Sequence, residues 1–223
     1  MQIFVTGRLT GRMKILLSAA GILLLAALVL TGYLIGRAVH GAADTPMNPA
    51  FPEKIGSIPV YTDLLPQGSL NRPGEIRTVK YIVIHETANE NADADAKAHN
   101  TYIHNIANEQ ELSWHYTVDD RQIYHHLPDN EVGWHAASRE GNQYGIGIEV
   151  CVNKGGNFDK AFDNAAALAA YLMYTYKLDA DALMQHHDFY DKDCPHYIRS
   201  EGRWEEFIAL VKQKYAALKK DGV

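Results

Sequence analysis

The hydrophobic and polar positions along the chain fall into patterns that predict three kinds of element. Residues 15–35 form an uncharged run of about 21 residues rich in Leu and Ala, close to the roughly 20 that a helix needs to cross a membrane. Residues 79–84 are largely β-branched and apolar on both faces, which indicates a strand buried within a sheet. Residues 161–176 and 204–218 each carry apolar side chains at helical spacing, so both are predicted to be amphipathic helices.

Weaker patterns add further elements between these. A helix is predicted at residues 92–106, and strands are predicted at residues 113–118, 121–127 and 145–152. Strands that are interleaved with helices in this order are typical of an α/β domain. The expected fold is therefore a central mixed β-sheet flanked by helices and preceded by one N-terminal transmembrane helix.

Prolines mark the stretch that follows the apolar run. Six of the eight prolines in the chain lie between residues 46 and 73. Because proline breaks helices and the stretch lacks a sustained period, residues 37–73 are predicted to be a linker with an extended lead-in. The folded domain is then expected to span residues 74–223.

The charges beside the apolar run predict its orientation. Three basic residues precede the run and only Arg37 follows it closely. The positive-inside rule therefore predicts a short basic cytoplasmic tail at 1–14, a signal-anchor at 15–36 and an extracytoplasmic domain. Cleavage as a signal peptide is the alternative, because the small residues 41–43 are of the kind that a signal peptidase accepts.

The net charge of −6 conceals an acidic domain. Four of the 21 Lys and Arg residues precede the first acidic residue, Asp44, so the rest of the chain carries 17 basic against 27 acidic residues, a net charge of −10. Nucleic-acid binding depends on neutralisation of phosphates by Lys and Arg. We therefore expect no nucleic-acid partner.

Two histidines and a cysteine are candidates for a metal site. His85 ends the first buried strand, and His186 and Cys194 flank an irregular segment near the end of the domain. Two imidazoles and a thiolate would bind zinc and leave a fourth position open for water. Two alternatives stay open at this point: His187 is as capable of ligation as its neighbour, and Cys151 could form a disulfide with Cys194 in an oxidising compartment.

Five segments of the chain resemble a known family. Zinc-dependent N-acetylmuramoyl-L-alanine amidases, the family of bacteriophage endolysins and bacterial autolysins that is related to peptidoglycan-recognition proteins, carry similar blocks in the same order. The resemblance covers roughly residues 71–198. The blocks are YIVIHETAN (81–89), SWHYTVDD (113–120), GWHAA (133–137), GIGIEVCVN (145–153) and HHDFYDKDCP (186–195).

The resemblance implies a ligand set and two catalytic side chains. Zn²⁺ is expected on His85, His186 and Cys194, which leaves His187 outside the ligand set. Glu149 is expected to move a proton between the attacking water and the leaving amine. Lys192 is expected to stabilise the oxyanion.

The resemblance also implies the substrate and its contacts. The expected reaction cleaves the amide bond between N-acetylmuramic acid and L-alanine in peptidoglycan, by a monomer anchored in a bacterial membrane or secreted after cleavage. A muropeptide-binding receptor that has lost catalysis is the alternative. Some family members have a tyrosine at the position of Trp114, and an indole cannot replace a phenol in proton transfer, so no catalytic role is expected there. The residues expected to contact the substrate are Trp114, His115, Trp134, His135 and Asn153.

Overall fold

A computed structural model describes residues 51–221 of the chain. The predicted tail at 1–14, the predicted signal-anchor at 15–36 and the first part of the predicted linker lie outside the described residues. Within residues 51–221 no helix is both long and apolar enough to cross a membrane.

Within residues 51–221, seven strands form one mixed sheet in the order β1-β2-β5-β4-β6-β3-β7. The pairs β1–β2 and β4–β5 are antiparallel, and the other four neighbouring pairs are parallel. The strands are β1 (Lys54–Ile55), β2 (Ile58–Thr62), β3 (Tyr81–Glu86), β4 (Tyr116–Val118), β5 (Ile123–His125), β6 (Gly145–Val150) and β7 (Leu183–Gln185).

Five α-helices accompany the sheet in the described part of the chain, together with two single turns of 3₁₀ helix at Ala180–Ala182 and His186–Asp188. The prediction of a central mixed sheet flanked by helices is confirmed. The helices are α1 (Ala96–Asn105), α2 (Arg139–Tyr144), α3 (Phe158–Tyr176), α4 (His196–Ser200) and α5 (Trp204–Asp221).

The main core lies between the central strands and helix α3. β3 and β6 pair over six residues and are buried almost throughout. Alanines dominate the buried face of α3, so the helix approaches the sheet closely. Its outer neighbour α5 contributes Phe207, whose ring meets that of Phe162 edge-on at 5.2 Å between centroids.

Part of the predicted linker belongs to the folded domain. β2 pairs in parallel with β5, and the Leu65 side chain beyond it is fully buried. Arg72 forms a bidentate ion pair with Glu131 at 2.7 Å. The prediction that the domain starts at residue 74 is therefore wrong for residues 54–73. Pro59 conceals the strand in the sequence, because a proline lacks the N–H of a ladder bond and is tolerated only near strand starts or sheet edges.

The parallel strands determine where polar side chains meet. β3, β6 and β7 run in the same direction, so their carboxyl ends lie at one edge of the sheet. His85 of β3 is in register with Glu149 of β6, and β7 ends one residue before His186. In open α/β sheets, ligands bind outside the carboxyl ends of the strands. This edge is therefore the place to look for a site.

Candidate active site

Three potential metal ligands converge at this edge. His85, His186 and Cys194 offer ligand atoms that all lie within 4.8 Å of one another, and all three residues are buried. The Nδ1 atom of His85 lies 3.0 Å from Nδ1 of His186 and 3.9 Å from Sγ of Cys194. His187, in contrast, turns away and places Nδ1 3.0 Å from the carbonyl oxygen of Lys192.

The spacing of these atoms fits one tetrahedral ion. With Zn–N about 2.0–2.1 Å and Zn–S about 2.3 Å, tetrahedral geometry puts neighbouring ligand atoms about 3.3–3.6 Å apart. The two distances from His85 Nδ1 lie within a few tenths of an ångström of that range. The Nε2 atom of His186 is buried without a hydrogen-bond partner in residues 51–221. A site of two imidazoles and one thiol is thus already assembled by the fold.

Burial controls the protonation of the three groups. It lowers the pKa of His85 well below its usual range and lowers that of His186 to about 4, with the charge of Lys192 adding to the effect in both cases. Both imidazoles are therefore neutral and carry the lone pairs that a cation needs. Burial also raises the pKa of Cys194 to about 12. A cation is then required to hold this thiol as the thiolate.

A carboxylate stands beside the cluster. Oε1 of Glu149 lies 4.0 Å from His85 Nδ1, and Oε2 is buried without a hydrogen-bond partner among the described residues. Burial raises the pKa of Glu149 to about 7, against an opposing effect of the Lys192 charge. A carboxyl group that titrates near neutrality can both accept and return a proton at physiological pH.

Two cavities adjoin the candidate site. One, of about 410 Å³, is lined by Glu149 and by residues of the β3–α1 loop and helix α1. The other, of about 560 Å³, is lined by His186, Trp134 and the start of α2. Leu112 and Lys192 line both cavities, so the two form the arms of one groove beside the candidate site.

Two of the residues predicted to contact the substrate, Trp134 and Trp114, lie in the groove. Trp134 is half-buried and lines the arm of about 560 Å³. Trp114 is buried, donates its indole N–H to Thr117 Oγ1 at 2.7 Å, and lines the arm of about 410 Å³. Their placement is compatible with contact to a ligand in the groove.

His115 is not a groove residue. Its ring is fully buried, and Nδ1 accepts a hydrogen bond from the backbone N–H of Gly147 at 3.1 Å. Nε2 lies 3.0 Å from the carbonyl oxygen of Glu131 and 2.8 Å from the guanidinium of Arg77. The predicted contact with substrate is wrong, because these bonds hold the ring beneath the sheet edge.

Asn153 is also misplaced by the sequence prediction. Alternation along a strand reaching residue 152 would have put it on the same face as Glu149, but β6 ends at Val150. Its Nδ2 donates to the carbonyl oxygen of Ala92 at 3.0 Å, and the residue lines neither arm of the groove. Asn153 fixes a loop instead.

Glu86 is a residue of the site that the sequence analysis missed. It is buried at the end of β3 and accepts hydrogen bonds from the backbone N–H groups of Tyr197 and Ile198 at 2.7 and 2.9 Å. These bonds tie the segment that follows Cys194 to the strand that carries His85. A glutamate directly after a histidine at the end of an apolar strand was the available signal.

Both cysteines are free thiols in the described structure. Cys151 is buried, and its Sγ lies 4.0 Å from Nδ1 of His99, which is not one of the three candidate ligands. The disulfide alternative is thus not the arrangement found, and Cys194 remains available to a metal.

Comparison with known proteins identifies the relatives of this arrangement. The family model for N-acetylmuramoyl-L-alanine amidases matches residues 75–197. The chain is 41% identical over 154 residues to the N-acetylmuramoyl-L-alanine amidase XlyA of Bacillus subtilis (strain 168), and 39% identical over 154 residues to the amidase CwlH of the same strain. Each match covers 68% of this chain.

The match is to one part of those relatives. The aligned region spans 50% of XlyA and 60% of CwlH, so the chain corresponds to little more than half of their length. The solved structure of the catalytic domain of XlyA superposes with a TM-score of 0.66 at 40% identity, over 69% of this chain and 99% of that domain. The similarity therefore lies in the catalytic domain.

Proposed function

Because the chain belongs to the N-acetylmuramoyl-L-alanine amidase family, we propose that it hydrolyses the amide bond between N-acetylmuramic acid and the L-alanine of the peptidoglycan stem peptide. The observation that carries the proposal is the convergence of His85, His186 and Cys194 beside the buried carboxylate of Glu149. This set of groups is suited to metal-assisted attack of water on an amide.

The three converging residues are the proposed holders of Zn²⁺. Nitrogen and sulfur donors in a set of three, with one position open, are typical of catalytic zinc rather than of magnesium or calcium sites. When bound there, the ion supplies a water of lowered pKa and polarises the substrate carbonyl. Burial of the three ligands keeps competing water away from the protein side of the site.

Glu149 is the proposed proton carrier. Its Oε1 lies 4.0 Å from Nδ1 of His85, and its Oε2 has no hydrogen-bond partner among the described residues, so the carboxylate would be within reach of a water on an ion held by the three ligands. The carboxylate takes a proton from the attacking water and returns it to the nitrogen of L-alanine as the amide bond breaks. Its raised pKa of about 7 suits both transfers.

Lys192 is the proposed partner of the developing oxyanion. It lines both arms of the groove and therefore lies where the substrate must cross from one arm to the other. The substrate extends in two directions from the scissile bond, the glycan strand on one side and the stem peptide on the other. A groove with two arms that meet at Lys192 matches that shape.

The reaction is tested by digestion of purified sacculi. Wild-type protein should release new L-alanine amino termini and no new reducing sugar ends. Glu149→Gln should lower kcat/KM about 10²–10⁴-fold, and Lys192→Met about 10²-fold. Matched controls on the exposed face of α5, Glu205→Gln and Lys212→Met, should retain full activity. Release of reducing ends without new amino termini would identify a different reaction.

The receptor alternative is not favoured by the site. A receptor needs the groove but has no use for a complete ligand set or for a carboxylate beside it, and both are present here. Turnover by the wild type, and its loss in one variant, separates the two functions. Cys194→Ala should abolish turnover while muropeptide binding persists, and a wild type that binds muropeptides without cleaving them would establish the receptor.

The setting of the activity is a second part of the proposal. Residues 15–36 carry the apolar run expected to anchor the domain outside the cytoplasm. An acidic domain would be repelled by anionic wall polymers, so a tether would keep it close to its substrate. Full-length protein should sediment with membranes and resist extraction by carbonate, whereas a protein that starts at residue 46 should not.

A further inference from the structure

His135 contacts a candidate metal ligand and also lines the arm of about 560 Å³. Its ring is almost fully buried and meets that of His85 edge-on, with 5.1 Å between centroids. Nε2 of His135 lies 3.0 Å from the carbonyl oxygen of Gly145, and Nδ1 lies 3.0 Å from Nε2 of His85. The imidazole therefore bridges a fixed backbone acceptor and the candidate ligand.

The carbonyl group sets the direction of both hydrogen bonds. A carbonyl oxygen only accepts, so Nε2 of His135 must carry the hydrogen. A neutral imidazole has one N–H, which leaves Nδ1 of His135 as an acceptor and requires Nε2 of His85 to donate to it. Nδ1 of His85 then carries no hydrogen and has a free lone pair, and this atom faces His186 and Cys194.

We propose that His135 is a positioning residue that selects the tautomer of His85 and aims its Nδ1 lone pair at the metal. The proposal rests on the metal-dependent function proposed above. Metal-bound histidines commonly donate their other N–H to a nearby acceptor, and loss of that acceptor typically weakens metal binding about 10–100-fold. Here the acceptor is a second imidazole that is itself anchored to the backbone.

A glycine of β6 makes room for this ring. A Cβ atom at Gly147 would lie 2.8 Å from Cγ and 2.9 Å from Nδ1 of His135, closer than real side chains approach. Alternation puts Gly147 on the same face of the strand as Glu149. The glycine therefore lets the imidazole lie against the face of β6 that carries Glu149.

Other contacts keep the bridge in place. Oδ1 of Asn142 accepts from the backbone N–H groups of His135 and Ala136 at 3.0 and 2.7 Å, which fixes the loop that carries the ring. The carbonyl oxygen of Gly145 also accepts from Nη2 of Arg77 at 3.2 Å. The carbonyl oxygen of Gly145, which accepts the hydrogen bond from His135, is therefore held in place. We call the hydrogen-bonded chain from His85 through His135 to Gly145 the relay.

Three substitutions of His135 separate the two hydrogen bonds. In His135→Asn the amide oxygen can take the place of Nδ1 and accept the hydrogen bond from His85. In His135→Gln the longer side chain reaches toward the carbonyl oxygen of Gly145, and the hydrogen bond from His85 is lost. His135→Leu keeps only the apolar volume. Zinc affinity is measured by competition with a chromophoric chelator, and the absorption spectrum of the Co²⁺ protein reports the ligand geometry.

The expected order of zinc affinity is specific to the proposal. His135→Gln and His135→Leu should bind zinc about 10–100-fold more weakly than the wild type, with an altered Co²⁺ spectrum, while His135→Asn should retain most of the affinity. A merely structural role predicts that the three affinities follow the thermal stabilities of the metal-free variants instead. That outcome, or wild-type affinity in His135→Gln, would overturn the proposal.

A second measurement needs no variant. The ¹⁵N shifts and long-range ¹H–¹⁵N couplings of histidine side chains distinguish the two tautomers in the wild-type protein. Both His85 and His135 should be protonated at Nε2 in the metal-free and zinc-loaded forms. Protonation of either ring at Nδ1 alone would refute the relay. Failure of the wild type to bind zinc would count against the proposed function, and the tautomers of the metal-free protein would still decide the relay.

Discussion

Loss of the Glu86 carboxylate should destabilise the domain strongly and selectively. Its two oxygens accept backbone N–H bonds from Tyr197 and Ile198 in a setting where Glu86 is 5% exposed. A hydrogen bond to a charged group contributes about 1.5–3 kcal/mol, so Glu86→Ala is expected to lower the free energy of unfolding by about 3–6 kcal/mol. Glu86→Gln keeps one acceptor oxygen and should fall between Glu86→Ala and the wild type.

The measurement is urea unfolding followed by circular dichroism, with a chelator present so that bound metal does not contribute. In a domain of this size each kcal/mol corresponds to about 2–4 °C in Tm, so Glu86→Ala should melt about 6–24 °C lower. Glu90→Ala is the matched control, because that carboxylate also contacts Tyr197 but lies on the surface. Exposed pairs of this kind contribute little to stability, so Glu90→Ala should unfold close to the wild type. If the two alanine variants unfold at the same urea concentration, the reasoning about the buried tie is wrong.

Three further predictions concern pH, metal and core. The raised pKa of Glu149 means that the metal-free folded state binds a proton more tightly than the unfolded chain. The free energy of unfolding of the metal-free protein should therefore fall as the pH rises from about 4.5 to 7. Urea unfolding across that pH range should show a flatter slope for Glu149→Gln. Removal of zinc by a chelator should lower Tm, since a ligand at 1,000 times its Kd stabilises by about 4 kcal/mol; an unchanged Tm by calorimetry would contradict the metal site. Phe162→Ala should cost about 3–5 kcal/mol of unfolding free energy in denaturant titrations, because the ring is fully buried between α3 and α5, and a loss under 1 kcal/mol would contradict that packing.

The parts of the fold that were predicted are those in which one period dominates the sequence. β3 was predicted within two residues because its apolar run has no competing interpretation, and α3 was predicted within three because a stripe of alanines and aromatics repeats at helical spacing. β2 was missed, since Pro59 and an exposed face hide a strand that is specified by its partner β5 rather than by its own residues.

The ligand set was predicted from the resemblance rather than from residue type. Among 11 histidines, residue type left His187 and a disulfide open, whereas the resemblance to amidases selected His85, His186 and Cys194, which the fold brings together. The sequence could not assign His115 and His135, since histidine suits a groove, a core or a relay equally well. Only their partners, an arginine and backbone groups for one and His85 for the other, separate those roles.

The separation of the ligands along the chain has a consequence for when the metal site forms. His85 and His186 are 101 residues apart in sequence, and His85 and Cys194 are 109 apart. An unfolded chain holds no preformed site, and contacts this distant in sequence form only after the intervening chain has been organised. The three candidate ligands can therefore share an ion only once β7 has paired with β3 and the segment that follows β7 has folded. A newly made or partly unfolded chain carries every ligand but has no site.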